Sequence, residues 1–493
     1  MTHCLGEDRL TIALVARAAT GDLPITIPPA AWARIAASEV IVEQHAQSGS
    51  PVYGLNTGLG GNLGTRIPRE QVEAFQTQII RGRTIGVGAD LPIETCRAAM
   101  VCRLAELTLG RTGVSAAATR LLAEMVARDV VPVMPHFGSI GASDIGQLGH
   151  MASVMIGRGH AWFGGVRMAG GAALQAAGLT PLVPGFKDGL ALVGHGCVTS
   201  AGAALSLHGI GRLLAAERRT VALAYEGFAA NPAILDPRLV AARPAPGQAA
   251  AAAALLAMLA GSALLAPGAA RSLQDVLCFR LAAPALGAAD WALGTATEVL
   301  EAELNGSTTT PAVMLESGEI LSSPNFHNPA LTLALDMLAS AVAHLASTSA
   351  LRTAKLLTAR FSGLPAYLSP VGGGSAGYVS LQKTAGDLLA EIRVQAQPSG
   401  LDPLAVSDTV EDVAPLSQHA VRRLDRQRTP FRYLVAMEAL VAAQAVDLRG
   451  LSPLGVGTQP LHAAIREAVP PLAEDRESGL DVEAVARVID RLG

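Results

Sequence analysis

The stretch Met134–His150, MPHFGSIGASDIGQLGH, places Gly138, Ser139, Gly141, Ala142 and Ser143 in a tight turn of small residues ahead of an apolar run. Glycine reaches backbone geometries closed to other residues, so such a turn can present a side chain in an unusual pose. The apolar run predicts a helix over 145–158, whose first turn gathers free N–H groups and the positive end of the helix dipole. A serine held at that point is placed for chemistry. Ser143 or Asp144 is equally well placed simply to cap the helix. A second stretch, Pro51–Gly61, reads PVYGLNTGLGG, a loop able to approach a ligand closely. It matches neither the dinucleotide nor the phosphate-loop pattern. Its Tyr53 is either an ordinary loop tyrosine or part of a lid over a site.

The elements around these stretches read as helices. Pro29 opens one that runs to about residue 47, since proline is tolerated in a first turn. The stretch 91–130 is strongly helical, with apolar positions at helical spacing over 114–129 and Pro132 and Pro135 beyond. Further helices are expected over 200–217, 249–265 and, after a proline-rich stretch, 481–492. The uncharged run 248–266 has the length of a membrane span. Alanine dominates it, and a buried helix of a large bundle is the reading adopted.

The chain has 493 residues, half of them hydrophobic, with aromatics at 3% and a net charge of −4. A core is therefore built from Ala, Leu and Val. The mildly acidic balance, without a basic block, excludes nucleic acid as the expected partner. Cys4, Cys96, Cys102, Cys197 and Cys278 show neither disulfide nor zinc spacing, so reduced thiols and no metal are expected. The charged N-terminus does not resemble a secretory signal, and a cytoplasmic protein without a membrane partner is expected.

The central stretch resembles the Gly-Ser-(Val/Ile)-Gly-Ala-Ser-Gly-Asp segment of the aromatic amino acid ammonia-lyases and related aminomutases. In that family an Ala-Ser-Gly tripeptide cyclises, losing two waters, to a methylidene-imidazolone electrophile. The resemblance implies that this group forms autocatalytically from Ala142-Ser143-Asp144. Asp144 either replaces the glycine or, with the glycine deleted, matches the family's next aspartate; counting back from His150 favours deletion. The Tyr53 loop is similar to the family's VYG(I/V)NTGFG, in which the tyrosine removes the substrate β-proton; Gly60 is assigned to substrate binding. Arg83 falls where the family selects the substrate side chain. A guanidinium there suits an acidic or strongly polar group, unless Arg83 is only a surface ion-pair residue.

Residues 188–197 resemble EGLALINGT, with Gly194 at the asparagine position. The following His195 is either a hydrogen-bonding or titratable group in the site or a packed neutral histidine. In Leu273–Arg280, Arg280 matches the family's anchor for the substrate carboxylate, and Leu277 replaces a tyrosine. Asn325 and Phe326 match a carboxylate contact and a shield over the prosthetic group. Glu411, within Ser407–Val413, matches the glutamate that meets the amine, whereas Val410 and Val413 depart from the pattern. Glu411-Asp412 alternatively opens a helix.

The resemblance implies a mainly α fold: an ammonia-lyase-like long-helix bundle with a small mixed N-terminal domain. The expected division is 1–200, carrying the Tyr53 loop and the Ala-Ser-Asp turn, a central bundle over 201–450 and a helical tail over 451–493. It further implies a homotetramer whose sites combine loops from three chains, with a small-molecule amino acid or related compound as substrate. The leading expectation is a carbon–nitrogen lyase or aminomutase. Two alternatives remain: an elimination or isomerisation without the prosthetic group, using Tyr53, His195 and Arg280, and a non-catalytic ligand-binding homologue.

Overall fold

The computed structural model describes residues 2–400 and 404–492. Helices dominate it. They run α1 (Ile12–Ala19), α2 (Pro29–Ser48), α3 (Val72–Arg83), α4 (Ile93–Leu107), α5 (Ala116–Ala127), α6 (Ile145–Met155), α7 (Gly170–Ala176), α8 (Asp188–Val193) and α9 (Cys197–Phe228). After these come α10 (Pro237–Ala241), α11 (Gln248–Leu259), α12 (Leu277–Arg280), α13 (Ala282–Asn305), α14 (Pro329–Leu356), α15 (Ala359–Ser362) and α16 (Leu381–Val394). The last are α17 (Ser417–Arg449), α18 (Gln459–Ala468) and α19 (Ser478–Leu492). Strands are short, the largest sheet being three-stranded with Val131–Pro132, His160–Phe163 and Val166–Ala169 in that order.

The chain divides into two compact units. The first holds everything up to His208, Thr297–Leu333 and the segment Pro398–Arg422; the second holds Gly209–Ala296, Ala334–Gln397 and everything from Arg423 onward. In the first unit, local sequence explains the frame. Pro29 starts α2, and Gly49, at φ +72°, ends it. Ser115 caps α5 by accepting from the Ala118 N–H at 3.1 Å, and its own hydroxyl donates to Asp188. The α4 helix is the buried spine, with Ala98, Ala99, Met100, Leu104 and Leu107 all at zero exposure. Its small side chains let neighbours close in without aromatic filling. The α3, α6 and α8 helices pack on one another, and the central turn leads directly into α6.

The second unit has its own interior. Arg352 lies fully buried between Glu217, at 2.5 Å, and Glu438, at 2.6 Å. Ser349 donates to the same Glu438. Phe228 stacks on Phe279 with centroids 4.0 Å apart, and the Tyr225 hydroxyl donates to the Phe279 carbonyl.

Several sequence expectations are corrected here. The helix expected over 200–217 begins at Cys197 and continues to Phe228. It does not stop at Glu217, because that carboxylate is buried and paired rather than solvated. The helix expected over 249–265 ends at Leu259, where Gly261 adopts φ +78° and Ser262 caps a separate 3-10 turn. Its twelve residues are too short to span a bilayer. Two other stretches, 188–228 and 329–356, have the length and apolarity of a span; their most apolar windows are 78% and 56% buried within this chain. The helix after the central turn ends at Met155, short of the expected residue 158. Glu411-Asp412 opens no helix, since α17 starts at Ser417.

Candidate active site

The Ser139–Asp144 turn is fastened from several sides. Ser143 adopts φ +64°, a left-handed conformation that is unusual for a residue with a Cβ. Gly141 adopts φ +86°, and a Cβ on it would lie 2.6 Å from the Ser417 hydroxyl. Glycine is required there because the start of α17 abuts the turn. Leu416 donates to the Ile140 carbonyl, and Gln147 donates to Gln418, at 2.9 Å each.

Asp144 occupies the N-cap position of α6, yet its side chain makes no cap bond. The carboxylate turns inward instead and is fully buried. It accepts from the Thr199 N–H (2.7 Å), the Thr199 hydroxyl (2.6 Å) and the Ser139 hydroxyl (2.7 Å). Thr199 sits in the first turn of α9, where free N–H groups and the helix dipole favour an anion. Burial pushes the Asp144 carboxyl above its ordinary value, although these hydrogen bonds pull it back. The backbone N–H of Asp144 donates to the His195 carbonyl at 2.7 Å.

A cavity of about 640 Å³ opens beside the turn. That volume suits a small-molecule substrate. Of the residues singled out from sequence, Tyr53, Gly60, Arg83, Ala142, Ser143 and Glu411 all line it. They come from four separate stretches of the first unit. The Tyr53 hydroxyl accepts from the Gly60 N–H at 3.1 Å, which leaves its own hydrogen free to point elsewhere. The loop after residue 403 lies over Gly60 and Gly61, because a Cβ on Gly61 would come within 3.3 Å of the Asp408 Cβ. Ser407, Asp408 and Thr409 are all left-handed, and Ser407 donates to Glu411 at 2.5 Å. Arg83 ends α3 against α6: a side chain on Gly149 would collide with the Arg83 carbonyl. The Arg83 guanidinium has no ion-pair or hydrogen-bond partner among the described residues, so it is not a paired surface arginine.

The other nominated residues lie elsewhere. Asp144 is behind the cavity wall. His195 is also behind it, 5% exposed, with Nε2 3.5 Å from a Glu106 oxygen that Arg103 also pairs. Burial drives the His195 pKa down to about 4, so the ring is neutral near pH 7. It is the packed histidine of the two readings, and its carbonyl rather than its ring touches the turn. Asn325 is exposed and Phe326 half-buried, and neither lines the cavity; Asn325 donates to the Ser307 carbonyl at 3.3 Å. Arg280 is half-buried at the end of α12 in the second unit. Sequence reasoning missed Asp408 and Ile85 as lining residues and Thr199 as the partner of Asp144. No cluster of His, Cys, Asp and Glu among the described residues has the makings of a metal site.

Known structures share this architecture. Ergothionase from Treponema denticola, solved with desmethyl-ergothioneine sulfonic acid, superposes with a TM-score of 0.95 at 30% identity, covering 100% of this chain and 99% of that one. The phenylalanine aminomutase of Pantoea agglomerans gives 0.95 at 26% identity, covering 99% of each chain. The fold is that of the helical carbon–nitrogen lyases and aminomutases. The sequence profile described as aromatic amino acid lyase matches residues 10–467. Histidine ammonia-lyase from Anaeromyxobacter sp. (strain K) is 38% identical over 100% of this chain and 99% of its own. The chain belongs to the aromatic amino acid lyase family and is an enzyme of its ammonia-lyase and aminomutase class.

The family is known for the methylidene-imidazolone group, and the turn here does not fit it. Ring closure requires the third residue's nitrogen to reach the Ala142 carbonyl. That nitrogen belongs to Asp144 and is held by the His195 carbonyl, while the Asp144 carboxylate is held by Thr199 and Ser139. Closure would also rotate Ser143 from φ +64° towards an eclipsed geometry, with no glycine beside it to yield.

Proposed function

We propose that this enzyme removes the amine from an α-amino acid bearing an acidic or strongly polar side group. Once its hydroxyl proton has passed to solvent, Tyr53 takes the β-proton on its phenolate oxygen, which the Gly60 N–H steadies. Glu411 and Asp408 face the departing nitrogen. Arg83, without a partner among the described residues and at the cavity wall, receives the polar side group in paired hydrogen bonds. The observation that carries this reading is the convergence of Tyr53, Arg83, Ser143 and Glu411 on one cavity from distant parts of the chain.

Arg280, Asn325 and Phe326 are assigned to the substrate carboxylate and its cover as contributions from neighbouring copies in a homotetramer. Leu273 and Leu277, 90% and 60% exposed beside Arg280, support such a contact surface. Light scattering is the direct measurement, and a monomer at working concentration refutes the shared site.

The activity test is release of amine with growth of ultraviolet absorbance from an α,β-unsaturated acid, over a panel of acidic, polar and apolar amino acids. Tyr53→Phe is expected to lower kcat by about 10²–10⁴, the usual weight of a positioned general base. An unchanged rate removes Tyr53 from the chemistry.

A further inference from the structure

Resting on the lyase reading above, we propose that Gln76 is a positioning residue for the proton transfer. Its buried amide fixes the Tyr53 loop to α3 and α8, and so sets where the base stands relative to Arg83. Gln76 lies on α3 at zero exposure and is not among the residues lining the cavity. Its Nε2 donates to the Gly54 carbonyl at 3.0 Å, and its Oε1 accepts from the Gly189 N–H at 2.9 Å. One side chain thus joins three segments: the residue that follows Tyr53, the first turn of α8, and α3 itself. Both partners are buried main-chain groups that must be paired away from water. An amide donates and accepts at once, whereas a carboxylate of the same shape would only accept.

The packing around the amide leaves little slack. A Cβ on Gly189 would come 2.4 Å from the Gln76 carbonyl oxygen, so α8 lies directly on the α3 backbone. Gly54 adopts φ +69°, and a Cβ there would meet the Leu190 Cδ2 at 2.3 Å, so the Tyr53 loop lies as closely on α8. Leu190 in turn lines the cavity. Asn56 and Thr57 tie the loop to itself, through the Val52 N–H and the Val52 carbonyl, whereas Gln76 ties it to the helices. Arg83 ends α3 seven residues further on. That is close to two helical turns, so it leaves the same side of the helix about 10 Å along the axis. The base and the side-chain anchor are therefore set by one rigid element, and a misplacement of about 1 Å costs on the order of 10²-fold in rate.

Two variants of the full-length protein test this. Gln76→Met keeps the volume and removes both hydrogen bonds; Gln76→Asn keeps an amide one methylene too short to reach both groups. Each is compared with the wild type at a temperature where circular dichroism shows it fully folded, on the best amino acid of the panel, with and without deuterium on Cβ. In Gln76→Met, kcat is expected to fall about 10–100-fold with KM within about threefold, and in Gln76→Asn to fall less. The β-deuterium effect on kcat is expected to be at least as large as the wild type's, because proton transfer is the step that slows. Hydrogen exchange over 52–61 is expected to quicken while α6 is unchanged. A kcat within about twofold of the wild type, a loss carried by KM, a smaller isotope effect or unchanged exchange over 52–61 overturns the proposal and leaves the lyase reading standing. Should Gln76→Met fail to fold, Gln76→Asn is held to the same isotope, KM and exchange criteria. Absence of wild-type turnover over the whole panel removes the lyase reading and this proposal together.

Discussion

Two carboxylates of the sequence-nominated set, Asp144 and Glu411, end in opposite situations. Asp144 is fully buried, accepts three hydrogen bonds and does not line the cavity beside the turn. Glu411 lies in an open loop, takes one hydrogen bond from Ser407 and lines the cavity. The first has spent its lone pairs on the protein. The second keeps capacity for a ligand. The contrast separates a group that holds the site's shape from one that meets what enters it, although a motif scores both alike.

Substitutions can break or sharpen this contrast. Asp144→Ala should be the most damaging, destabilising the fold by about 3–5 kcal/mol by orphaning the Thr199 and Ser139 donors in the interior. Denaturant unfolding measures it, and a loss no greater than that of Glu411→Ala would erase the distinction. Next is acid sensitivity at His195. Its pKa is about 4 in the fold against an ordinary value of 6.5. The unfolded chain therefore binds this proton below pH 6.5 while the native chain refuses it. Stability present above pH 6.5 is lost as pH falls towards 4, by about 3 kcal/mol. His195→Asn should flatten that part of the stability curve; an unaltered slope assigns it to other groups.

Glu411→Gln should leave the melting temperature within a degree or two while lowering kcat/KM by about tenfold to a hundredfold. A folding defect instead would make Glu411 a second Asp144. The smallest expected effect is at Arg83→Lys, about tenfold in kcat/KM against acidic or polar substrates, because an ammonium cannot reproduce the paired hydrogen bonds. Equal loss on neutral substrates would remove Arg83 from side-chain selection.

Much of the frame was legible because it is local. Pro29 marks a helix start by its own chemistry, and the Tyr53 and Ser143 turns advertise themselves through clustered glycines. The failures share a cause: they depend on partners distant in sequence. Glu217 looked like the polar end of a helix because Arg352, its buried partner, lies far along the chain. Asp144 looked like a cap because Thr199 is 55 residues away. Asp408 gave no signal, since only the close approach of Gly61 brings its loop to the cavity. His195 stayed open between a titratable group and a packed one because no local pattern shows that Glu106 and Arg103 enclose it.

Ala142 and Ser143 already form part of the cavity wall, while the residue that would complete a reactive tripeptide has been drawn into the frame. The reactive face and the structural anchor are thus adjacent but separable. Inserting one glycine codon between Ser143 and Asp144 would leave the anchor in place and return slack to the exposed pair. Comparing the intact mass of that variant with that of the parent chain reads directly whether one added residue at this point changes dehydration of the tripeptide.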